Sequence, residues 1–301
     1  MNQDQAQHAK LLREAFDQYL SHLYETPLEP AGKISDYDFS FVCNRKWHSL
    51  AEEMVVCDLR QLTNLVNGWA ESLCRWHAWS YVLADRDRQE AWELRSEFLD
   101  ALVHKCLLMP ASIRDAITSV ATSAFHQARL STDRTYRDNL EGDPRDPKTP
   151  EEKTNFSRRG EKEKYLSKIV RDWPSSNRFL EALRQINTSA YIQATRNYRN
   201  LTAHSIAPKF EFGHTRTVQR SVRQFQTIEN SEDGRIILRD VPGKLTVSYS
   251  YGGTPPLNLE TIRAANLGQF ERAHACYSEY RALLEAVVKA IEPDGQLDVN
   301  D

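Results

Sequence analysis

From residue 49 to about residue 83 apolar side chains return at helical spacing without interruption. Met54, Leu62, Leu65, Val66, Trp69, Leu73 and Trp76 mark one face over roughly ten turns. A helix of that length carries an apolar stripe too large to leave in water, so the chain must supply helical partners of similar length. Trp92, Leu94, Phe98, Leu99, Leu102, Val103 and Cys106 mark a second long helix. Ile113, Ile117, Val120, Ala124 and Ala128 mark a third, beginning after Pro110. Connections at 84–90 and 108–111 are short enough to predict antiparallel bundle neighbours, with Trp69, Trp76, Trp79 and Trp92 in the core between them.

Other segments extend this pattern. Leu11, Leu12, Ala15, Phe16, Tyr19, Leu20 and Leu23 predict an amphipathic helix over residues 4–25, stopped near Pro27 and Pro30 and followed by a loop to about Trp47. Residues 131–160 carry three prolines, many charges and almost no apolar side chains, which predicts a mobile charged loop. A short helix over 161–172 precedes Trp173-Pro174. Ser175 or Ser176 can then cap a helix running through Phe179, Leu183, Ile186, Ala190 and Ala194 to Leu201. The period changes at 218–228, 235–239 and 244–251, where β-branched and aromatic runs are separated by Asn230-Ser-Glu-Asp-Gly234 and Pro242-Gly243, predicting a small antiparallel β-meander at about 215–251. Asn258 can cap a last long helix that ends before Pro293. The expectation is a mainly α fold, a bundle of long helices with the meander inserted before the last one. Residues 1–130 supply its first part, 131–160 the loop, and 161–301 the remainder.

Composition narrows the function. A net charge of −3 excludes a chain that coats nucleic acid over its whole surface and leaves only a local patch for such contact. Cys43, Cys57, Cys74, Cys106 and Cys276 are odd in number and scattered, which fits reduced thiols filling a core in the cytoplasm. The start, MNQDQAQHAK, lacks the basic and apolar stretches of a secretory signal, and no run approaches the ~18 apolar residues of a membrane span. Cys74-x-x-His77 and His104-x-Cys106 lie inside apolar helical patterns without the paired knuckles of a structural zinc site, so no metal or other cofactor is expected. Neither a glycine-rich phosphate loop nor a nucleophile elbow is present.

Reactive chemistry gathers in one place, Arg196-Asn-Tyr-Arg199-Asn200-Leu-Thr-Ala-His204. Histidine moves protons near neutral pH, arginine grips phosphate oxygens with a planar fork, and asparagine can orient either. An unspecialised reading is also open, in which a cationic helix end simply complements the dipole. The arrangement Arg199-Asn200-x-x-x-His204 resembles the signature of HEPN domains, an α-helical family rich in metal-independent endoribonucleases, with the motif helix followed by a last long bundle helix. The resemblance implies RNA as substrate, a homodimer with a composite site, and a setting such as a toxin or antiviral defence effector. As the alternative, it admits a non-catalytic helical module that binds RNA or a regulatory protein partner.

On one continuous helix Arg199 and His204 would lie about 140° apart, whereas Arg196, Asn200 and His204 would share a stripe. Either the helix loosens at 201–203 or two copies of the chain complete the site, and the dimer is the expectation. His204 would act as general base or acid, Arg199 would stabilise charge on the phosphorus, and Asn200 would position one of them. Arg196, Lys209, Arg216, Arg220 and Arg223 would bind the strand, since this stretch has a single acid, Glu211. Basic residues can also protect an exposed β edge from aggregation. Tyr198, Phe210 and Phe212 could stack on bases or pack a hinge.

Overall fold

A computed structural model describes residues 3–26, 28, 34–138, 159–230 and 235–294. These form two compact units, one running to Thr195 and resuming at Ile262, the other spanning 196–261.

The first unit is helical. It contains α1 (Gln3–Glu25), α2 (Ala51–Ala84), α3 (Arg88–Leu94), α4 (Asp100–Thr132), α5 (Arg159–Val170), α6 (Ser176–Arg184), α7 (Ser189–Ala194) and most of α9 (Leu259–Val288). The apolar stripe of α2 is buried from Val55 through Val82. It meets α4 along its length, and α1 lies against it through Tyr19, which stacks on Trp79 at 4.7 Å; Trp79 in turn stacks on Phe98 at 4.6 Å. Phe125, Phe179 and Tyr280 close the opposite end of the core around each other.

The short connection at 84–90 does reverse the chain, with Asp87 accepting the Gln89 and Glu90 amides to start α3. No reversal follows at 108–111. Helix α3 continues through one wide π-helical turn, Arg95–Leu99, into α4, and Pro110 lies inside that helix. The π turn puts Leu94 and Leu99, five residues apart, on the same buried face, which then continues through Val103 and Cys106. Trp92 falls about 200° from Leu94 and is half exposed, so it does not join Trp69, Trp76 and Trp79 in the core.

Proline inside a helix leaves the carbonyl four residues earlier without a donor. Here that carbonyl belongs to Cys106, and Asn266 Nδ2, from α9, donates to it at 2.8 Å. The same amide nitrogen donates to Tyr191 Oη at 2.9 Å, while Asn266 Oδ1 accepts from Trp69 Nε1 at 2.9 Å. Tyr191 Oη in turn donates to the Leu107 carbonyl at 3.4 Å. Asn266 is completely buried, and its three bonds join α2, α4, α7 and α9. A proline that reads as a helix start is accommodated because a distant side chain supplies the bond it removes.

The segment expected as one helix from 176 to 201 is broken twice. Asn187 adopts a left-handed conformation (φ 54°) after α6, and its amide donates to Gln269 Oε1. Thr188 then caps α7, accepting the Tyr191 amide. Ser175 stands at the start of α6 but makes no side-chain capping bond. The expected loop at 131–160 lies mostly outside the described residues. Residues 131 and 132 complete α4, and a turn beyond it brings Tyr136 Oη within 2.8 Å of His126 Nδ1.

In place of a three-stranded meander, the second unit holds a two-stranded antiparallel ribbon, β1 (Thr215–Asn230) and β2 (Ile236–Thr254). Pro242-Gly243 is not a turn. Residues 241–244 bulge from β2 opposite Phe225, Gly243 takes φ 77°, Gln224 Nε2 donates to the Val241 carbonyl, and Lys244 Nζ covers the Phe225 ring at 4.2 Å. The signal for a hairpin tip is absorbed as a bulge within one long strand.

Asn266→Leu should lower unfolding free energy by about 2–4 kcal/mol, because it strands buried partners on three elements. Restoring the backbone donor with Pro110→Ala should reduce that cost by about 1 kcal/mol, read as coupling in a double-mutant cycle of urea melts. A second prediction concerns Asp58, half-buried on α2, where burial raises the carboxyl above its ordinary 3.8 against a weaker lowering by Ser123. An acid whose folded-state pKa is raised favours the native state below the unfolded value and loses that contribution as pH rises through the folded one. Asp58→Asn should therefore melt above wild type at pH 7, and the gap should shrink as the pH falls towards the ordinary carboxylate range.

Candidate functional site

The motif lies in α8 (Tyr198–His204), inside the second unit. Helix α7 ends at Ala194 and is capped by Thr195, whose hydroxyl donates back to the Tyr191 carbonyl at 2.9 Å, a local bond that competes with helix continuation. Arg196 and Asn197 then both take left-handed backbone, at φ 52° and 57°. Asparagine tolerates that region better than most residues, and arginine does so at a cost that a side-chain bond can offset. The Arg196 guanidinium donates to the Pro255 carbonyl. Arg196 is therefore outside the helix and tied to the strand-return segment, and the stripe of Arg196, Asn200 and His204 does not exist.

From Tyr198 to His204 the helix is unbroken, so it does not loosen at 201–203. Arg199 and His204 thus diverge by about 140° round one axis, while Asn200 and His204 are four apart and share a face. Arg199, Asn200 and His204 are all exposed, and among the described residues none of their side chains has a hydrogen-bond or ion-pair partner. Tyr198 points the other way. It is buried and stacks on Phe210 at 5.5 Å, so these two rings pack the unit and Phe212 alone of the three is exposed.

The backbone after α8 ties the unit together. The Glu211 amide donates to the Leu257 carbonyl at 2.9 Å, and the Leu257 amide donates to the Lys209 carbonyl at 2.8 Å. Glu211, the one acid in the basic stretch, is used to start α9: its carboxylate accepts the Leu259 amide at 2.5 Å and Asn258 Nδ2 at 3.1 Å. Asn258 caps α9 as its sequence position suggests, accepting the Thr261 amide at 2.9 Å. Thr215 Oγ1 donates to the Ala207 carbonyl at 3.1 Å and anchors the ribbon base to the segment leaving α8.

The remaining basic residues divide by strand register. Arg216 and Arg220 share one face of β1, and Arg223 is on the other. All three are exposed, as is Lys209. A concavity of about 720 Å³ opens at the ribbon base, lined by His214, Arg216, Thr217, Val218, Tyr251 and the backbone of Gly252 and Gly253. His214 is a second histidine beside an arginine that sequence reading passes over. Its signal was present in the basic run next to Gly213, whose φ of 81° turns the chain into β1. Gly252 has a steric reason: a Cβ there would fall 2.3 Å from the Gln219 side chain.

Among the described residues no three His, Cys, Asp or Glu side chains are grouped so as to hold a metal ion. His77 Nδ1 accepts from Arg263 Nη1 at 2.7 Å, and burial pushes the Cys106 and Cys276 thiols up to about 12. Cys57, in contrast, is exposed on α2. No described helix is long and apolar enough to cross a membrane.

Fold and site together define a mainly helical protein with an exposed Arg-Asn-His helix and an inserted two-stranded ribbon. No protein-family model, curated protein or solved structure matches the chain.

Backbone strain at the entry to α8 gives a prediction independent of activity. Asn197→Gly should be neutral or slightly stabilising, and Asn197→Val should cost about 1–2 kcal/mol in urea unfolding.

Proposed function

We propose that this protein is a HEPN-like, metal-independent endoribonuclease acting as a homodimer. The observation that carries the reading is the state of Arg199, Asn200 and His204: three polar side chains, exposed on one short helix, with no structural partner among the described residues. Side chains that hold a fold together have partners, and among the described residues these have none. Their types match the signature Arg-Asn-x-x-x-His and the needs of phosphodiester cleavage.

In the proposed reaction His204 takes the proton from the ribose 2′-hydroxyl or delivers one to the departing 5′-oxygen. The new bond joins the 2′-oxygen to phosphorus and the bond to the 5′-oxygen breaks, giving a 2′,3′-cyclic phosphate and a 5′-hydroxyl. Arg199 stabilises the charge that builds on the phosphoryl oxygens, and Asn200 orients His204 or a phosphate oxygen. Because Arg199 and His204 diverge on an unbroken helix, the arginine of one copy serves the histidine of the other. Lys209, Arg216, Arg220 and Arg223 supply exposed cations for the strand, and Arg196 contributes by fixing the entry to α8. The setting implied is a toxin or antiviral defence effector in the cytoplasm.

The exposed apolar side chains of the ribbon favour the protein-binding form of a second reading, a non-catalytic helical module that binds a protein partner.

Mixed RNA incubated in chelator should yield cyclic-phosphate ends with wild type and lose about 10²–10³-fold or more of that rate with Arg199→Ala or His204→Ala. Undiminished cleavage by His204→Ala would sink the mechanism. The two inactive variants, mixed and allowed to exchange subunits, should recover about a quarter of wild-type activity, since half the dimers are mixed and each has one intact composite site. No recovery despite exchange would place each site within one chain.

A further inference from the structure

The ribbon carries a second, separate signal. Alternation along β1 and its register with β2 put Val218, Val222 and Ile228 on one face, opposite Tyr251, Val247 and Leu238 respectively. Tyr249, Leu245 and Ile236 lie on the same face, across from Arg220, Gln224 and Asn230. The other face is mostly Thr217, Gln219, Ser221, Ser248, Ser250 and Gly252. Such alternation is the mark of a sheet covered on one side. Yet the nine apolar side chains of this face are 43–92% exposed, so nothing among the described residues covers it.

We infer that this face is the interface with a second copy of the same chain, apolar face packed on apolar face. Three considerations select that occupant. An isolated two-stranded ribbon is marginal in water, and this one has strands of 16 and 19 residues without a third strand among the described residues. Nine large apolar side chains exposed on one face exceed the ~300–600 Å² patch of a typical monomer and are of the scale, ~800 Å² per partner, that a stable interface requires. It is also self-complementary, with apolar side chains recurring from the pair of Val218 and Tyr251 to Ile236, Gln224, Gln226 and Asn230 between them, and only Arg216, Arg220 and Asp240 charged, a composition open to a homodimer contact. A nucleic-acid strand would need cations where this face has valine, isoleucine and leucine. The inference does not depend on ribonuclease activity.

Analytical ultracentrifugation of the full chain provides the test. Wild type should sediment as a dimer, Val222→Lys and Tyr249→Lys should each weaken the dimer by about 30-fold or more, and Ser221→Lys on the polar face should leave it unchanged. Far-UV circular dichroism and thermal melting of each variant separate lost association from lost folding. Should a lysine variant misfold, Val222→Ser and Tyr249→Ser provide the milder comparison, with weakened association again expected. A wild type that stays monomeric at about 100 µM overturns the inference. So does a dimer indifferent to every well-folded variant of this face, or a monomer that captures single-stranded RNA through Tyr249 and Tyr251. The subunit-mixing assay of cleavage reads the catalytic proposal separately, so a failed interface and a failed active site give different results.

Discussion

The helical unit depends on a buried amide doing the work of a missing backbone donor. Pro110 deprives the Cys106 carbonyl of its helical partner in a position where water cannot reach, and such a carbonyl would cost about 1–3 kcal/mol. Asn266 removes that cost and uses its remaining capacity on Trp69 and Tyr191. Both amide hydrogens and the carbonyl oxygen are committed, which is the condition under which a polar group in a core specifies an arrangement and does not weaken it. The consequence reaches along the chain: Tyr191 fixes α7, which ends at Ala194, two residues before the second unit begins at Arg196.

That dependence also explains which elements were legible in advance. Helices α2 and α9 follow from their own periodicity because each buries one long stripe, and α1 follows from a weaker one that buries Ala15 and Tyr19 and leaves Phe16 exposed. The continuation of α3 into α4 does not, because Pro110 is a stop signal unless Asn266 is present, and nothing local to Pro110 announces an asparagine in the last helix. The π turn at 95–99 changes the helical phase and so misplaces Trp92, an error inherent in any fixed 3.6-residue template. The breaks around α7 were more accessible: Asn187 followed by Thr188 joins a left-handed stop to a helix cap, and Asn197 is another residue suited to positive φ. Pro242-Gly243 resembles a turn so closely that only the register, with the bulge facing Phe225, identifies one strand in place of two.

The motif shows a similar division. Residue types and spacing single out Arg199, Asn200 and His204 as candidates without coordinates, and all three are exposed. Their geometry was not legible, because it turns on where the helix begins. Starting at Tyr198 detaches Arg196 and keeps the rest on one rigid helical axis, so the divergence of Arg199 and His204 becomes a property of the chain and not of an arbitrary template.

If both proposals hold, they constrain each other. The motif helix and the ribbon belong to one unit, joined where Thr215 meets Ala207 and Arg196 meets Pro255. A twofold axis running across the ribbon would set the two α8 helices apart by about its length, roughly 50 Å for 16 residues. Only an axis running along the ribbon brings both to the same end, as a shared Arg199 and His204 requires. That arrangement also gathers Arg216 and Arg220 of the two copies at the α8 end, where like charges oppose association. A polyanionic strand would neutralise them, so substrate binding and subunit pairing would strengthen each other by the reciprocity that governs any two linked equilibria.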